Sequence, residues 1–156
     1  GLVIELANKV AKEKRPPVHI VPGLSAVNMA AAVLGAPLMH DFAVISLSDL
    51  MTPWDLIKKR AALCAEGDMV IALYNPRSKK RVTHLDEVRE LVLQHRDPKT
   101  PVGIVQKAGR VGQHIIISDL EHFHKEEIDM QTLVIIGNSQ TYVENGKIIT
   151  PRGYKL

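Results

Sequence analysis

The chain has 156 residues, 46% of them hydrophobic and 24% charged, which fits one globular domain with a real core and is too short for two full domains. The formal charge of +3 and the isoelectric point near 9.0 favour an acidic ligand weakly and do not require nucleic acid. A single cysteine, Cys64, excludes an internal disulfide, so a reducing cytoplasm is the expected location. No apolar run approaches the roughly 20 residues of a membrane-spanning helix, and no secretory leader is evident.

The first part of the chain predicts two helices and one strand. Residues 1–7 read as the middle of a helix, with no starting methionine and no cap, so we expect this chain to be a piece of a longer one. Residues 18–21 predict a short strand. Ser25 is a suitable N-cap for a helix over residues 26–34, which Gly35 would end. Because that helix is almost entirely small and apolar, we expect it to be buried.

Beyond a candidate hinge at residues 35–37, strands and helices alternate. Apolar runs predict strands at residues 42–47, 69–73, 101–105, 114–118, 133–136 and 147–149. One helix is predicted from a Thr52 cap to about Glu66, and another from Thr83 to the closing pair Asp97-Pro98. Asn145-Gly146 predicts a tight hairpin. This order predicts an α/β fold whose mixed, mainly parallel sheet is flanked by helices, with antiparallel strands at the end.

Residues 72–81 join an aromatic residue, a rigid polar turn and several cations just after a buried strand. Asn75-Pro76 ends the strand, because proline has no N–H and restricts the residue before it. Ligands of α/β proteins usually bind beyond the carboxyl ends of strands, so Tyr74 stands at a candidate ligand crevice. The cations suit an acidic ligand, although a solvated charge run is the favoured interpretation for Lys79 and Lys80; the full set is Arg77, Lys79, Lys80 and Arg81.

Six segments together resemble the tetrapyrrole methylase family, which methylates porphyrin-like macrocycles with S-adenosylmethionine. They are VPGLSA at 21–26, LGAPLMHDF at 34–42, SLSDLMTPW at 46–54, ALYNPRS at 72–78, IGNSQT at 136–141 and TPRGY at 150–154. Each segment alone is a weak signal, whereas the ordered set is specific and covers essentially the whole chain. The resemblance is strongest to the branch that methylates C17 of precorrin-3B, or of cobalt-factor III in the anaerobic route, with ring contraction during cobalamin biosynthesis.

This resemblance implies two domains with the cofactor between them. Residues 1–37 would be the tail of the first α/β domain, and residues 38–156 the second. The Gly-x-Gly-Pro-Gly and Ser-Gly-Asp-Pro loops of the family's first domain do not occur in this sequence. We therefore expect one wall of the site here, in a cytoplasmic homodimer that acts on an anionic precorrin, with no nucleic acid, membrane or metal ion as partner.

The resemblance also assigns cofactor contacts to six residues: Ser25, Ala26, Tyr74, Ala108, Gly109 and Thr132. Each has a plainer alternative: a helix cap for Ser25, an ordinary core or rim position for Tyr74, and a simple turn for residues 108–109. Asn75, Arg77 and Asp49 are expected to face the carboxylate-rich substrate. A guanidinium can bind a carboxylate bidentately, and Asp49 follows the carboxyl end of a strand.

Other readings of the sequence stay open. His122 and His124 form the only close histidine pair, and no set of four ligands completes a metal site. His40-Asp41 reads as an acid–base pair or, preferably, as a hydrogen bond within a linker. The basic character also fits a nucleic-acid-binding module, although three Tyr, two Phe and one Trp are few for stacking on bases. A third reading is a fragment that is inert alone. No catalytic residue is predicted; Cys64 is expected to be buried rather than reactive.

Overall fold

In the computed structural model, residues 1–79 and 81–154 are described, so Lys80 of the predicted cationic run lies outside the described part, as do residues 155–156. Within that part there are four α-helices: α1 (Leu2–Asn8), α2 (Ala26–Leu34), α3 (Trp54–Glu66) and α4 (His84–Leu93). Short 3₁₀ helices lie at Lys12–Lys14 and Phe123–Lys125. Among these described residues no helix combines the length and the apolar character needed to cross a membrane.

Eight strands in the described part form two sheets. The strands are β1 (Gly35–Ala36), β2 (Phe42–Ser46), β3 (Val70–Tyr74), β4 (Pro101–Gln106), β5 (His114–Asp119), β6 (Thr132–Ile136), β7 (Tyr142–Glu144) and β8 (Lys147–Ile149). The larger sheet has the order β2-β3-β6-β4-β5, and the smaller one the order β1-β8-β7. The larger sheet carries the core and the candidate site.

The predicted mainly parallel sheet is wrong. In the larger sheet only β2 and β3 are parallel; the pairs β3–β6, β6–β4 and β4–β5 are antiparallel. The reason is that β6 returns between β3 and β4 and runs against both of them. Apolar runs reveal that a strand is buried, but they carry no information on its direction.

Helices pack on both faces of this sheet, so the mixed α/β fold flanked by helices is confirmed. Side chains alternate along a strand, and in β3 Ile71 and Leu73 face α3 and α4 while Val70 and Ala72 face α2. The α2 side of the core is closed by four buried side chains of the helix: Val27, Ala30, Ala31 and Leu34. Residues on both sides of the predicted domain boundary at residue 37 thus share one core, and the two-domain division stays a prediction.

The predicted boundaries of α2 and the predicted hairpin turn are confirmed. Helix α2 begins after Ser25 and ends at Gly35, whose φ of 129° suits glycine because an added Cβ would lie 2.8 Å from the carbonyl oxygen of Ile148. The hairpin between β7 and β8 turns at Asn145 and Gly146, with φ values of 49° and 70°. Both residues therefore adopt the left-handed conformation that favours Asn-Gly in tight hairpins.

Two local predictions were wrong. Residues 18–21, all within the described part, form no strand; Ile20 is 79% exposed and Val21 85% exposed. Their β-branched side chains favour extended backbone, but no neighbouring strand is there to pair with them. Helix α3 begins one residue later than predicted, with Pro53 at the N-cap position instead of Thr52.

Candidate functional site

A cavity of about 230 Å³ opens where β3 and β4 end and β6 begins. Its wall brings together four of the six residues assigned to the cofactor, each from a different element: Ala26, Tyr74, Ala108 and Thr132. Other lining residues include Asn75, Val105, Lys107, Arg110, Met130, Gln131 and Leu133. We call this space the Tyr74 cavity.

Tyr74 is bonded to the start of α2. The backbone N–H of Val27 donates to the Tyr74 hydroxyl oxygen at 2.9 Å, and the N–H of Asn28 donates to Ser25 Oγ at 3.4 Å. Both N–H groups belong to the first turn of the helix, where no intrahelical acceptor is available. The cap predicted at Ser25 is therefore confirmed, and the Tyr74 ring is held beside Ala26 at the cavity wall.

Thr132 is only 4% exposed, and its hydroxyl is fully engaged by Asp129. Thr132 Oγ1 donates to Asp129 Oδ1 at 2.7 Å and accepts the N–H of Asp129 at 3.0 Å. The hydroxyl is thus committed to the loop before β6. What Thr132 offers to the cavity is its methyl group and its backbone.

The loop after β4 approaches α2 closely. Gly109 has a φ of 71°, and an added Cβ there would lie 2.9 Å from Met29 Cγ, so the loop needs glycine at this position. Gly109 N–H donates to Gln113 Oε1 at 2.8 Å, which fits a turn. The structure leaves Gly109 beside Ala108 rather than in the cavity lining.

Two non-glycine residues with left-handed backbone line the Tyr74 cavity. Asn75 follows β3 with a φ of 51°, and Lys107 follows β4 with a φ of 50°. Such conformations cost free energy and cluster at ligand sites, where they fix the direction of the chain. The sequence indicated Asn75 through its proline neighbour but gave no sign of Lys107.

Two further open spaces share lining residues with the Tyr74 cavity. A space of about 590 Å³ includes Arg77, Lys79, Lys107 and Gln131, and one of about 740 Å³ includes Asp49, Lys79, Arg81 and His84. We call the second space the Asp49 groove. Met130 lines all three spaces, and its side chain is about half exposed. A ligand in the Tyr74 cavity and another in the Asp49 groove would therefore both contact Met130.

Arg77 and Asn75 are engaged by other parts of the protein. Arg77 Nη2 donates to the carbonyl oxygen of His124 at 3.3 Å and lies 3.5 Å from Asp86 Oδ1. The Asn75 amide donates to Ser46 Oγ at 3.0 Å, which ties the ends of β2 and β3 together. Their predicted contacts with substrate stay predictions.

Arg81 is mostly buried and connects three loops through its hydrogen bonds. Its side chain is 12% exposed and donates to the carbonyl oxygen of Leu47 at 2.8 Å, to that of Asn75 at 3.4 Å and to the sulfur of Met130 at 3.2 Å. It thereby joins the loops that follow β2 and β3 to the loop before β6. Nothing in the sequence indicated these contacts, because Leu47 and Met130 lie more than 30 positions from Arg81. Arg81 also lines the Asp49 groove, so its contact with substrate stays a prediction.

The histidine predictions have different outcomes. Among the described residues no group of three or more His, Cys, Asp and Glu side chains could hold a metal ion, and the absence of metal stays a prediction. His122 Nδ1 lies 2.8 Å from Asp119 Oδ1 on the surface. His40 Nδ1 accepts the N–H of Asp41 at 2.9 Å, the linker hydrogen bond that was favoured.

Comparisons with known proteins identify the family of this chain. The sequence profile described as "Tetrapyrrole (Corrin/Porphyrin) Methylases" matches residues 1–124. A "Probable cobalt-factor III C(17)-methyltransferase" of Salmonella typhimurium is 47% identical over 156 residues, which are 100% of this chain and 64% of that protein. A "Cobalt-factor III methyltransferase" of Priestia megaterium is 43% identical over 99% of this chain and 29% of its own length.

Among solved structures, the methyltransferase CobJ superposes with a TM-score of 0.86 at 33% sequence identity, covering 95% of this chain and 62% of that one. A uroporphyrin-III C-methyltransferase from Thermus thermophilus, complexed with S-adenosylhomocysteine, has a TM-score of 0.58 at 22% identity and shows the shared fold. The chain thus spans less than two thirds of the length of these relatives.

Proposed function

This chain belongs to the tetrapyrrole methylase family, and we propose that it forms one wall of an S-adenosylmethionine-dependent methyltransferase acting on C17 of cobalt-factor III or precorrin-3B. The reaction would include ring contraction and belong to cobalamin biosynthesis. The relatives named for cobalt-factor III favour the cobalt-containing substrate. A cytoplasmic homodimer and the division at residue 37 are parts of the same proposal.

One observation carries the cofactor assignment. Four residues that the family resemblance assigns to the cofactor come from separate elements, between residues 26 and 132, and line a single cavity. Nothing in the local sequence requires Ala26, Tyr74, Ala108 and Thr132 to meet. The sheet order β3-β6-β4 brings three of them to one edge, and the hydrogen bond from Val27 to Tyr74 adds Ala26, so the assigned residues meet in one cavity as a ligand site requires.

The cavity suits part of S-adenosylmethionine. Tyr74, Val105 and Leu133 provide an aromatic and apolar wall for the adenosine portion, while Lys107 and Arg110 stand at the cationic end, suited to a carboxylate. Sites that enclose a small ligand usually measure about 300–1,000 Å³. At about 230 Å³ the Tyr74 cavity is smaller, so it would hold only part of the cofactor.

The neighbouring spaces suit a large anionic macrocycle. Lys79 lines both of them and makes no ion pair with any described residue, so its ammonium group is available for a substrate carboxylate. The exposed side chains of Leu50 and Met51, at 84% and 90% exposure, offer an apolar edge beside the Asp49 groove. Apolar surface rimmed by cations fits a flat ring that bears acetate and propionate groups.

Bound S-adenosylmethionine would supply a methyl group on a positively charged sulfur, for direct displacement by a carbon of the macrocycle. The residues of this chain would hold the two reactants in line and keep water out, which is the main source of acceleration in such a reaction. No covalent enzyme intermediate is needed. Cys64, whose thiol pKa is raised by burial, lies outside the candidate site.

The alternative of a nucleic-acid-binding module is not favoured by family membership.

The third interpretation is that the chain is inert when isolated. Calorimetric titration of the 156-residue chain and of the complete natural protein with S-adenosylhomocysteine tests it. We expect saturable binding to the complete protein, and weaker binding to the isolated chain.

The matched variants are Tyr74→Ala and Tyr142→Ala. Tyr142 is 44% exposed on β7, away from the cavity lining, so its loss should leave affinity unchanged. Tyr74→Ala should weaken binding at least tenfold, because an aromatic contact and the α2 anchor are both removed. Equal affinities of the two variants would refute the cofactor assignment. Methyl transfer is then tested by the mass gain of cobalt-factor III incubated with the complete protein and S-adenosylmethionine.

A further inference from the structure

The Asp49 groove contains one carboxylate that is exposed on one side and contacts a partly buried histidine on the other. The Asp49 side chain is 43% exposed in the loop after β2, and its Oδ2 lies 3.3 Å from Nε2 of His84, the first residue of α4. With Asp49 ionised, the His84 Nε2–H donates to it. The His84 side chain is itself only 15% exposed, so the imidazole stands behind the carboxylate rather than beside it in solvent.

The imidazole is fixed in turn by Trp54, the first residue of α3. The two ring centroids are 4.0 Å apart, and Trp54 Nε1–H donates to Glu87 Oε2 at 2.9 Å. The other oxygen of Glu87 accepts the Thr83 hydroxyl at 3.1 Å. A chain of contacts across the starts of α3 and α4 therefore locks the position of His84, and through it the position of Asp49.

Among the described residues that line the Asp49 groove, Asp49 is the only carboxylate and therefore the group suited to accept a proton. Arg81 Nε lies 4.0 Å from Asp49 Oδ1, but the Arg81 guanidinium is occupied by the loop carbonyls described above. Lys79 lines the same groove, and Glu87 faces His84 from α4. No other carboxylate of the described residues lines the Asp49 groove.

A second aspartate–histidine pair shows that this support is not a general feature of the fold. Asp119 and His122 lie 2.8 Å apart, yet both side chains are exposed, at 38% and 49%. Among the described residues no aromatic ring stacks on His122. The pair Asp119–His122 is a surface contact within one turn and serves as a matched control.

We propose that Asp49 is the proton acceptor of the methyl-transfer reaction and that His84 is its positioning residue; this rests on the proposed function. When a macrocycle carbon attacks the methyl group, the carbon–sulfur bond breaks with its electron pair going to sulfur, and a carbon–carbon bond forms from a π pair of the macrocycle. The positive charge of the sulfonium is thereby moved to the macrocycle. Loss of one macrocycle proton to the Asp49 carboxylate neutralises that charge, so atoms and charges balance.

The test compares Asp49→Asn, His84→Gln and the control His122→Gln in the complete natural protein. Loss of a general base costs about 10²–10⁴-fold in rate, so we expect Asp49→Asn to lower kcat by at least 100-fold with little change in KM. His84→Gln should lower kcat about tenfold and increase the solvent deuterium isotope effect, because proton transfer becomes slower. His122→Gln should match the wild type. Formate should restore part of the activity of Asp49→Ala.

Binding is separated from chemistry on the 156-residue chain, whose one tryptophan is Trp54. Trp54 stacks against His84, so quenching of its fluorescence by the absorbing macrocycle reports occupancy of the groove. The proposal requires that the macrocycle still quenches Trp54 fluorescence in Asp49→Asn and His84→Gln. Both variants must also still bind S-adenosylhomocysteine while their methyl transfer is slowed as stated above. Near-wild-type kcat in Asp49→Asn would overturn it, as would an unchanged isotope effect in His84→Gln. A wild-type protein that transfers no methyl would overturn the proposed function itself, and this inference with it.

Discussion

Removal of the Tyr74 hydroxyl, in the variant Tyr74→Phe, breaks the one hydrogen bond seen between the end of β3 and the start of α2. The hydroxyl accepts the Val27 N–H at 2.9 Å, and Val27 is only 5% exposed. The ring and its packing are retained, so the change isolates the hydrogen bond. The N–H that remains is in the first turn of α2 and has no intrahelical acceptor.

The expected cost follows from this burial. Leaving a buried donor without a partner costs about 1–3 kcal/mol. Because Tyr74 is only half-buried, water can reach part of the space, and we expect the lower half of that range, about 1–2 kcal/mol. For a chain of this length the melting temperature should fall by roughly 2–8 °C.

Urea unfolding followed by circular dichroism measures this cost, with the midpoint expected to fall and the slope to stay unchanged. The control is Tyr142→Phe, whose hydroxyl makes no hydrogen bond with a described residue and should alter stability by less than about 0.5 kcal/mol. If Tyr74→Phe unfolds at the same urea concentration as this control, the hydrogen bond does not anchor α2 and the account of the cavity wall is wrong.

Three further predictions concern single side chains. The Arg96 side chain is 1% exposed and donates to the carbonyls of Gly137 and Met69. Arg96→Met should therefore lower the free energy of unfolding in urea by about 3–5 kcal/mol, whereas Arg152→Met, at an exposed position, should leave it almost unchanged. Burial, followed by the charge of Arg89, lowers the pKa of His124 below its ordinary value of 6.5. The free energy of unfolding should therefore be highest above about pH 6.5 and fall as the pH drops through the lowered pKa of His124. His124→Gln should flatten this dependence below about pH 6.5; a slope equal to that of wild type would contradict the reasoning. Cys64 is half-buried, not buried as predicted, and this partial burial raises the pKa of its thiol. Iodoacetamide should therefore modify it more slowly in the native protein than in urea; equal rates would contradict the raised pKa.

The sequence predicted the parts of the fold that depend on neighbouring residues. Ser25 and Gly35 bound α2 as expected, and Asn145-Gly146 turns the hairpin, because caps and turns are decided by a few adjacent side chains. Strand order and direction depend on pairings between distant segments. The apolar run of β6 is compatible with either direction, and its place between β3 and β4 followed only from the structure.

The site divides in the same way. Tyr74 was identified because it ends a strand beside a rigid turn, and the resemblance to a family added Ala26, Ala108 and Thr132. The hydrogen bond between Arg81 and Leu47 and the contact between His84 and Asp49 each join residues more than 30 positions apart. These pairs share no sequence motif. Such contacts arise from the packing of α3 and α4 on the sheet, which local sequence does not encode.

The location of the cofactor wall can be tested by NMR titration of the 156-residue chain with S-adenosylhomocysteine. We expect concentration-dependent shifts in the backbone amides of Ala26, Tyr74, Ala108 and Thr132, with no change in the β7–β8 hairpin. Weak binding to a partial site is sufficient, because fast exchange moves these signals even at low affinity. Shifts elsewhere, or none at millimolar ligand, would contradict the claim that these four residues form a cofactor site.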